Sequence, residues 1–353
     1  MEILILKILL PALITFAIGV AITPILTHYL FKYQVWKKQG GKVALGGYEA
    51  TEFNRLKGEH ETKTPRMGGI VIWGSILIST FIIFILTVTT DIKFFSDVFF
   101  LSRSQTWIPF SVLIIGALVG LLNDFYDVQH GGVGVRLSVR LTLISLLAAF
   151  IGWWFYAKLG VTTISLPFAD PLYVGIWLIP FFILLTNALY ASGVIDGIDG
   201  LSGGVFGTIF IAYAGVAIIQ TQYDLAAFCV MVAGGILAFL WFNIPPARFW
   251  MTETGSMPLT LTLAVVVLMT DQIVPGGSGI TVLPIIGFLL MVTVLSNIIQ
   301  VIYRKTTGRK FFRIAPLHHH FEAIGWPSYK VTMRYWIISL LCAITGVIMA
   351  SII

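Results

Sequence analysis

The sequence predicts an all-α integral membrane protein with about ten transmembrane helices. Hydrophobic residues make up 58 % of its 353 residues and charged residues only 11 %, whereas a soluble domain carries about 25 % charged residues. Apolar runs long enough to cross a bilayer, roughly 17–25 residues each, occur about ten times along the chain. These two observations exclude the two or three soluble domains that the length alone would suggest, and they favour one helical bundle.

The predicted helices follow one another along the whole chain, so we treat residues 1–353 as a single polytopic membrane domain. The first run is too long for the core of a signal peptide and lacks a small-residue cleavage site, so we expect it to be retained. Cys229 and Cys342 lie inside apolar runs, which indicates small buried side chains and no disulfide framework. The approximate bounds of the spans are 4–31, 68–89, 107–123, 141–157, 172–190, 203–220, 226–242, 258–271, 282–302 and 335–352.

Basic residues are concentrated in alternate loops. Eighteen of the 22 lysine and arginine residues lie in or beside five loops, at about 32–67, 124–140, 191–202, 243–257 and 303–334. The positive-inside tendency places these loops in the cytoplasm, with both chain termini outside. The net charge of +6 therefore faces one side of the membrane, where anionic membrane lipids or phosphates would be attracted. A nucleic-acid partner is not needed to explain it.

Acidic residues follow the same side of the membrane. A coupled transporter more often places acids in mid-membrane, facing a central cavity. The sequence instead favours chemistry on a cytoplasmic substrate, with the active site on the cytoplasmic face. The acids in these loops or at the adjoining helix ends include Asp124, Asp127, Asp196, Asp199, Glu253 and Glu322.

The motif LLNDFYD places Asp124 and Asp127 three residues apart at the end of the third predicted helix. This spacing puts both carboxylates on one helical face if the helix continues through them. Paired carboxylates at a membrane surface suit a hard cation such as Mg²⁺, or work as a general base. A solvated helix terminus explains this pair equally well.

The motif GVIDGIDGLSGG places Asp196 and Asp199 three residues apart among five glycines. Glycines let backbone amides approach a ligand closely, and the N-terminus of the following helix favours anions. A simple turn between two membrane helices would not need two acids among so many glycines. This stretch therefore predicts a ligand-binding loop.

Two further stretches offer polar and aromatic side chains. FNIPPARFWMTETGSMPL contains Asn243, Glu253 and Trp250, whose ring offers a face on which a nucleobase could stack. HETKTPRMGG contains Lys63, which could reach a phosphate. Taken alone, the first stretch is explained as well by a structured loop with a helix cap, and the second by a helix start with cationic anchors.

Three consecutive histidines, His318, His319 and His320, occupy a predicted polar loop. Adjacent histidines project in different directions, unlike two zinc ligands one helical turn apart, and no cysteine lies nearby. Imidazoles beside Arg309 and Arg313 suit a pyrophosphate or an acidic substrate. We favour this interpretation over a polar juxtamembrane loop without a function.

In this order, the motifs resemble those of the phospho-N-acetylmuramoyl-pentapeptide transferase family. The matching stretches are KTPRMGG, LLNDFYD, DGIDGL, FNIPPARFWMTETGS, APLHHHFEAIGW and RYWIIS, which span about residues 60 to 341. The resemblance implies transfer of phospho-N-acetylmuramoyl-pentapeptide from its UDP carrier to undecaprenyl phosphate, giving lipid I and UMP. It further implies Mg²⁺ as cofactor, a multi-pass protein of the bacterial inner membrane, and a part in peptidoglycan synthesis, cell shape and division. Members of this family are commonly dimeric, so a homodimer is an expectation from the family alone.

The resemblance also assigns roles to individual residues of this sequence. Trp250 corresponds to an aromatic residue that stacks on uracil. The implied substrate-binding residues are Lys63, Asp196, Asn243 and Trp250. The implied metal ligands are Glu253, Asp199 and Asp124. The implied catalytic residues are Asp124, Asp127, Asp199, His318, His319 and His320.

The sequence departs from the family pattern at several of these positions. Asn123 replaces the first acid of an Asp-Asp pair, and an amide cannot act as a base at neutral pH. A lipid phosphate is already largely deprotonated near pH 7, since its second pKa is about 6, so attack without a base is conceivable. Glu253 replaces an aspartate, Thr142 a lysine, and Tyr190 and Gly193 two asparagines. These departures indicate a divergent member.

Two other functions stay open at this stage. The spacing of Asn123, Asp124 and Asp127 resembles the branch that transfers hexosamine 1-phosphate from UDP-N-acetylglucosamine to a polyprenyl phosphate, although PLHHHFE argues against it. A transporter or a catalytically inactive scaffold is the third hypothesis. The one-sided acids argue against transport, whereas Asn123 and Glu253 keep the inactive scaffold under consideration.

Overall fold

The computed structural model describes residues 2–37, 62–90, 92–130, 134–272 and 277–353. Part of the first predicted cytoplasmic loop, residues 38–61, and part of the second, residues 131–133, lie outside the described residues. In chain order, the helices and strands are α1 (Glu2–Lys32), α2 (Ile70–Thr89), α3 (Lys93–Val98), α4 (Trp107–Gln129), α5 (Leu137–Ala157), β1 (Thr163–Leu166), β2 (Ala169–Tyr173), α6 (Leu178–Ser192), α7 (Leu201–Ile219), α8 (Tyr223–Asn243), α9 (Glu253–Gln272), α10 (Gly279–Ile286), α11 (Phe288–Thr307), α12 (Leu317–Ala323) and α13 (Ser328–Ile352).

Within these ranges, ten helices are long and apolar enough to cross a membrane. They correspond one to one to the ten predicted spans, so the prediction of an all-α multi-pass protein is confirmed for the membrane-spanning part. Each span is a run of about 19–30 residues, and a run of that length provides the strongest signal that hydropathy can give.

Helices α7, α8 and α9 form the centre of the bundle. In α9, 94 % of the most apolar stretch is buried inside the protein, compared with 22 % in α5, α11 and α13. Helix α9 packs against α4, α6 and α7, while α8 packs against α1, α2 and α7. The outer helices expose leucine and isoleucine side chains such as Leu146 and Leu184, as expected for surfaces that face lipid.

Five elements were not predicted as such: the two strands of the antiparallel hairpin β1–β2 and the short helices α3, α10 and α12. The hairpin, in which Thr163 pairs with Tyr173, corrects the all-α expectation for the connection between α5 and α6. It is tied to the C-terminal end of α9, because the buried Asp271 carboxylate accepts hydrogen bonds from the Ser165 and Ile280 amides at 2.9 and 2.8 Å. This end lies about 27 Å along α9 from Glu253.

Candidate functional site

A cavity of about 890 Å³ opens at one end of the bundle. The ends of α5, α6, α8, α9 and α11 border it, together with the connections before α2, α7 and α9. Its polar wall contains five of the residues expected to form the site: Asp196, Asp199, Asn243, Trp250 and Glu253. The structure therefore brings together residues that are far apart in sequence.

Helix α11 forms a mainly apolar wall of the cavity, with Asn297 as its polar member. Helix α11 contributes Val294, Ile298, Val301 and Ile302, which share one face of the helix because of their spacing. Two of them, Ile298 and Ile302, also belong to the exposed apolar surface of the protein. The cavity therefore joins a polar wall to a surface of the kind that contacts lipid.

Asp196 and Asp199 are held in fixed orientations by the segment that precedes α9. Asp196 accepts hydrogen bonds from the Thr252 amide at 2.8 Å and from the Ser202 hydroxyl at 2.6 Å. Asp199 accepts them from the Ala247 amide at 3.1 Å and from the indole nitrogen of Trp250 at 3.2 Å. The GVIDGIDGLSGG stretch is therefore a fixed loop that presents two carboxylates to the cavity.

Two glycines of this loop are required by the geometry. Gly200 has a φ of 75°, a left-handed conformation that side chains disfavour. A Cβ at Gly197 would lie 2.5 Å from Nε2 of His319 and 2.8 Å from Nε2 of His318. The absence of a side chain at Gly197 therefore lets the two imidazoles lie directly against the acid-bearing loop.

Asn243 and Trp250 connect the loops around the cavity. The buried Asn243 side chain accepts a hydrogen bond from the Gly200 amide at 2.9 Å and donates one to the Phe249 carbonyl at 2.8 Å. Trp250 forms backbone hydrogen bonds with Pro65 and Gly68, at 2.9 and 2.8 Å. Asn243 therefore braces two loops, whereas Trp250 presents its ring to the cavity with the indole nitrogen bonded to Asp199.

Glu253 lies at the first turn of α9 and pairs with two side chains that the sequence did not single out as site residues. Arg140 Nη1 donates to Oε1 of Glu253 and forms a salt bridge with it. The Tyr190 hydroxyl donates to the same oxygen at 3.2 Å. All three line the cavity, so Arg140 brings a positive charge to the wall that carries the carboxylates.

Asp124 and Asp127 lie behind the cavity wall and do not line it. Both are buried and both face Arg66, whose guanidinium nitrogens lie 3.9 Å from Asp124 Oδ1 and 3.1 Å from Asp127 Oδ2. This confirms that the two carboxylates share one helical face. Asp124 also accepts hydrogen bonds from the hydroxyls of Thr252 and Thr254 and from the Thr254 amide at 2.8 Å. The first amides of α9 are thus engaged by protein groups.

The three histidines lie on the short helix α12 and not in an irregular loop as predicted. His319 Nδ1 is 2.7 Å from Oε2 of Glu322, and the Ser328 hydroxyl donates to the other oxygen of that carboxylate. His318 is fully buried beside His319, with ring centroids 4.4 Å apart. The two imidazoles approach Gly197 of the acid-bearing loop, behind the residues that form the cavity wall.

His320 and Lys63 stand apart from this arrangement. His320 accepts a hydrogen bond from the Arg313 amide at 3.2 Å and packs against Phe312. Partial burial and the nearby Arg313 charge lower the pKa of the His320 imidazole below its ordinary value. Lys63 is exposed and does not line the cavity, whereas Arg66, three residues later in the same motif, does.

Within the part of the chain that the structure describes, no three His, Cys, Asp or Glu side chains are grouped to hold a metal ion. Magnesium needs fewer protein ligands, since it is usually bound through one or two carboxylates together with substrate phosphates and water. Asp199 and Glu253 both line the cavity, so their chemistry fits such a site. Asp124, the third residue expected to bind metal, contacts Thr252 and Thr254 behind the wall.

Sequence reasoning missed several side chains of the site, among them Arg66, Arg140, Tyr190 and Thr252. Arg66 lies inside the KTPRMGG motif, and Tyr190 is a departure from the family pattern that by itself predicts no role in the site. The arginines could have been expected in general terms, because a cavity wall with several carboxylates needs positive charge beside them. However, Arg140 and its partner Glu253 are 113 positions apart in sequence. A local sequence pattern cannot predict a contact over such a separation.

Comparisons with known proteins indicate the family to which the chain is similar. The family model described as Glycosyl transferase family 4 matches residues 106–271. A phospho-N-acetylmuramoyl-pentapeptide-transferase of Anoxybacillus flavithermus (strain DSM 21510 / WK1) is 33 % identical over 344 residues, 96 % of this chain and 97 % of that protein. Proteins of the same name from Geobacillus sp. (strain WCH70) and Bacillus subtilis (strain 168) are 36 % identical over 294 residues and 31 % identical over 346 residues, covering 82 % and 96 % of this chain and 84 % and 97 % of theirs.

Proposed function

The chain belongs to the phospho-N-acetylmuramoyl-pentapeptide-transferase family, and from this membership we propose that it carries out the reaction that the family name describes. It transfers phospho-N-acetylmuramoyl-pentapeptide from UDP to undecaprenyl phosphate, giving lipid I and UMP in peptidoglycan synthesis. The observation that carries this proposal is the two-sided cavity. One wall offers carboxylates, arginines and a tryptophan to a charged nucleotide, and the other offers an aliphatic helix face to a lipid.

The polar wall suits a nucleotide diphosphate sugar. Trp250 can stack on uracil while its indole nitrogen stays bonded to Asp199. Arg66 and Arg140, the two arginines on this wall, supply the positive charge that a diphosphate requires. In this arrangement Glu253 keeps Arg140 in place, and the substrate phosphates compete with Glu253 for the guanidinium.

The apolar wall suits the lipid acceptor. Ile298 and Ile302 continue from the cavity to the exposed surface of α11, so a polyprenyl chain can lie along this helix while its phosphate enters the cavity. Burial of aliphatic surface favours this arrangement at about 25 cal/mol per Å². The acceptor phosphate then approaches the nucleotide from the membrane side.

In the chemical step, an oxygen of the lipid phosphate attacks the β-phosphorus, the bond from that phosphorus to the bridging oxygen breaks, and UMP leaves with the bond electrons. Because the lipid phosphate is mostly a dianion near pH 7, the step does not require the base that Asn123 cannot provide. Asp196 and Asp199 orient the groups around the diphosphate, and His318 and His319 hold the acid-bearing loop from behind.

Magnesium stays a proposed cofactor. Asp199 and Glu253 would hold it, and when bound it would neutralise negative charge on the diphosphate. Arg66 and Arg140 perform part of this charge neutralisation through the chain itself. Asp124 contributes by anchoring the Thr252 segment, which carries the hydrogen bond to Asp196.

The cavity end of the bundle is proposed to face the cytoplasm. The basic residues of the described loops, such as Arg136, Arg248 and Arg309, lie in the connections at that end, and the positive-inside tendency places such connections inside. An even number of spans then leaves both termini outside. The proposed location is the bacterial inner membrane, where UDP-linked precursors are available on the cytoplasmic side.

The test is UMP release by purified protein in detergent, with undecaprenyl phosphate, Mg²⁺ or EDTA, and either UDP-N-acetylmuramoyl-pentapeptide or UDP-N-acetylglucosamine. We expect turnover with the muramoyl substrate and none with the second nucleotide. Turnover only with UDP-N-acetylglucosamine would contradict the proposed substrate. Absence of turnover with either nucleotide, in protein that unfolds cooperatively on heating, would contradict the activity itself.

A further inference from the structure

A second cavity, of about 380 Å³, lies outside the candidate site and shares no lining residue with it. It is formed where the connection after α12 meets the start of α13. Five of its six lining residues are aromatic or aliphatic: Phe321, Trp326, Tyr335, Ile337 and Ile338. The sixth is Arg334, so the cavity combines an apolar interior with a positive charge.

Trp326 holds the charged side of this cavity in place. Its ring stacks on Phe321, with centroids 4.7 Å apart and planes 17° apart. The Arg334 guanidinium carbon lies 4.2 Å from the Trp326 ring centroid and the Lys330 Nζ lies 5.4 Å from it. Among the described residues, neither of these two exposed cations is in salt-bridge contact with an acid. The protein therefore fixes two positive charges without neutralising them.

The apolar part of the cavity continues along a helix long and apolar enough to span the membrane. Ile337 and Ile338, one turn beyond Arg334 on α13, are 58 % and 39 % exposed. With a rise of 1.5 Å per residue, they lie about 5–6 Å farther along the helix axis than Arg334. Along this helix, cations come first and exposed aliphatic side chains follow. A lipid has the matching arrangement, with a charged headgroup followed by acyl chains.

We propose that this cavity is a binding site for an anionic phospholipid. The phosphate lies between Lys330 and Arg334, and an acyl chain lies against Phe321, Ile337 and Ile338. A free phosphate would gain nothing from the five apolar lining residues, and a zwitterionic lipid would gain less from two unneutralised cations. Charge and shape together thus favour an anionic lipid.

Such a lipid would affect the candidate site through α12. Phe321 belongs to the same seven-residue helix as His318 and His319, and its ring is held by Trp326. Occupation of the cavity therefore strengthens the packing of α12 against α13, and we expect turnover to rise with anionic lipid. This second consequence rests on the proposed function, whereas lipid binding itself does not.

The experiment is native mass spectrometry of the full-length protein released from detergent containing equal amounts of phosphatidylglycerol and phosphatidylcholine. We expect wild-type protein to retain phosphatidylglycerol preferentially. In the double variant Lys330→Gln/Arg334→Gln, the apparent affinity for phosphatidylglycerol should fall at least tenfold. A fall of this size is on the order of what two basic residues at a membrane surface contribute to binding an anionic lipid. A matched control, Arg309→Gln/Lys310→Gln, removes two exposed cations from the preceding connection and should retain the lipid within about twofold.

Three outcomes would overturn the proposal. Equal loss in the control variant would show that only the net charge of the face matters. Displacement of phosphatidylglycerol by stoichiometric undecaprenyl phosphate would assign the cavity to the acceptor substrate. Conversion of a homodimer to monomers by the double variant, with lipid retention unchanged, would make the surface an interface between copies of the chain.

A further variant keeps the test independent of charge and of folding. Ile338→Asn removes an aliphatic wall at an exposed position, so thermal unfolding should change little while phosphatidylglycerol retention falls. Retention at the wild-type level in this variant would also count against the proposal. Lipid binding without any effect on turnover would leave the site in place and remove only its proposed link to α12.

Discussion

The hydroxyl of Thr252 donates a hydrogen bond to the buried carboxylate of Asp124, across 128 positions of sequence. The same residue donates its backbone amide to Asp196 at 2.8 Å, and its hydroxyl oxygen accepts a hydrogen bond from the Met67 amide at 3.2 Å. Thr252 thus connects α4, the acid-bearing loop and the segment before α2. Its backbone has a φ of 55°, a left-handed conformation that a β-branched residue adopts only when its surroundings require it.

Removal of this hydroxyl should loosen the whole site. Thr252→Val keeps the β-branched shape but leaves Asp124 with one donor fewer, and loss of such a partner costs about 1–3 kcal/mol of the free energy of unfolding. We expect a lower unfolding temperature and a fall of at least tenfold in UMP release, measured on the same purified sample. Thr142→Val is the matched control, because among the described residues its exposed hydroxyl bonds to the Ser138 carbonyl of its own helix and to no other group. Wild-type behaviour of Thr252→Val would show that the backbone contacts alone hold the segment.

The Arg140–Glu253 pair predicts non-additive effects. Arg140→Gln removes a positive charge from the cavity. Of the two contacts described for Oε1 of Glu253, one from Arg140 and one from Tyr190, this variant keeps the Tyr190 hydrogen bond. We expect the KM for the UDP-linked substrate to rise at least tenfold. In the double variant Arg140→Gln/Glu253→Gln, the stability loss should be smaller than the sum of the single effects by about 0.5–3 kcal/mol.

The control for this cycle is Arg136→Gln, which removes an exposed cation at the N-terminus of the same helix. Its KM should stay within about fivefold of wild type, since surface charges contribute about 1 kcal/mol or less. Strict additivity of the Arg140 and Glu253 effects would contradict the proposed coupling. Titration of Mn²⁺ binding by electron paramagnetic resonance would separately report whether Glu253→Gln weakens a metal site.

The architecture could be predicted from sequence because each span is a long apolar run, and such a run needs no information about partners. The hairpin Thr163–Tyr173 and the helix Leu317–Ala323 could not, since strands of four and five residues and a helix of seven give no resolvable period. The histidines of that helix were therefore expected in a loop. Hydropathy also does not predict how the helices pack against one another, so the central position of α9 could not be predicted from sequence.

The site could be predicted in part, for a similar reason. Asp196, Asp199 and Trp250 stand in unusual local sequences, so their grouping was visible before the fold was. The charge of Lys63 predicts contact with a phosphate, but the chain turns so that Arg66 reaches the acids while Lys63 faces solvent. The Arg66 amide donates a hydrogen bond to the Val35 carbonyl at 2.7 Å, and no local sequence pattern encodes this contact between distant residues.

Glu322 should act as a positioning residue for His319. Its carboxylate is buried, lies 2.7 Å from Nδ1 of His319 and is held by the Ser328 hydroxyl. Glu322→Gln is isosteric but removes the charge that orients the ring, so we expect kcat per folded enzyme to fall about tenfold with KM within twofold and the unfolding temperature unchanged. His320→Gln should leave both values near wild type, because His320 contacts Arg313 and Phe312 and does not approach the acid-bearing loop as His318 and His319 do. A lower unfolding temperature, with a loss of turnover no greater than the loss of folded protein, would assign Glu322 a structural role only.

Restoring the acid that the family pattern has at position 123 should not improve this protein. Asn123 is buried, its Oδ1 accepts the Val135 amide at 3.0 Å, and its Nδ2 lies 3.4 Å from Oδ1 of Asp124. Asn123→Asp replaces that donor by a second carboxylate oxygen at the same distance, and two like charges at such a separation in a poorly solvated place repel each other. We therefore expect a lower unfolding temperature and UMP release no faster than wild type. Asn123→Ala is the companion variant: it removes both the Val135 contact and the Nδ2 donor without adding charge, so a greater loss of stability in Asn123→Asp, which keeps an acceptor for Val135, would report the repulsion. A rate increase in Asn123→Asp would mean that the missing acid limits catalysis, and that attack by the lipid phosphate does require a base.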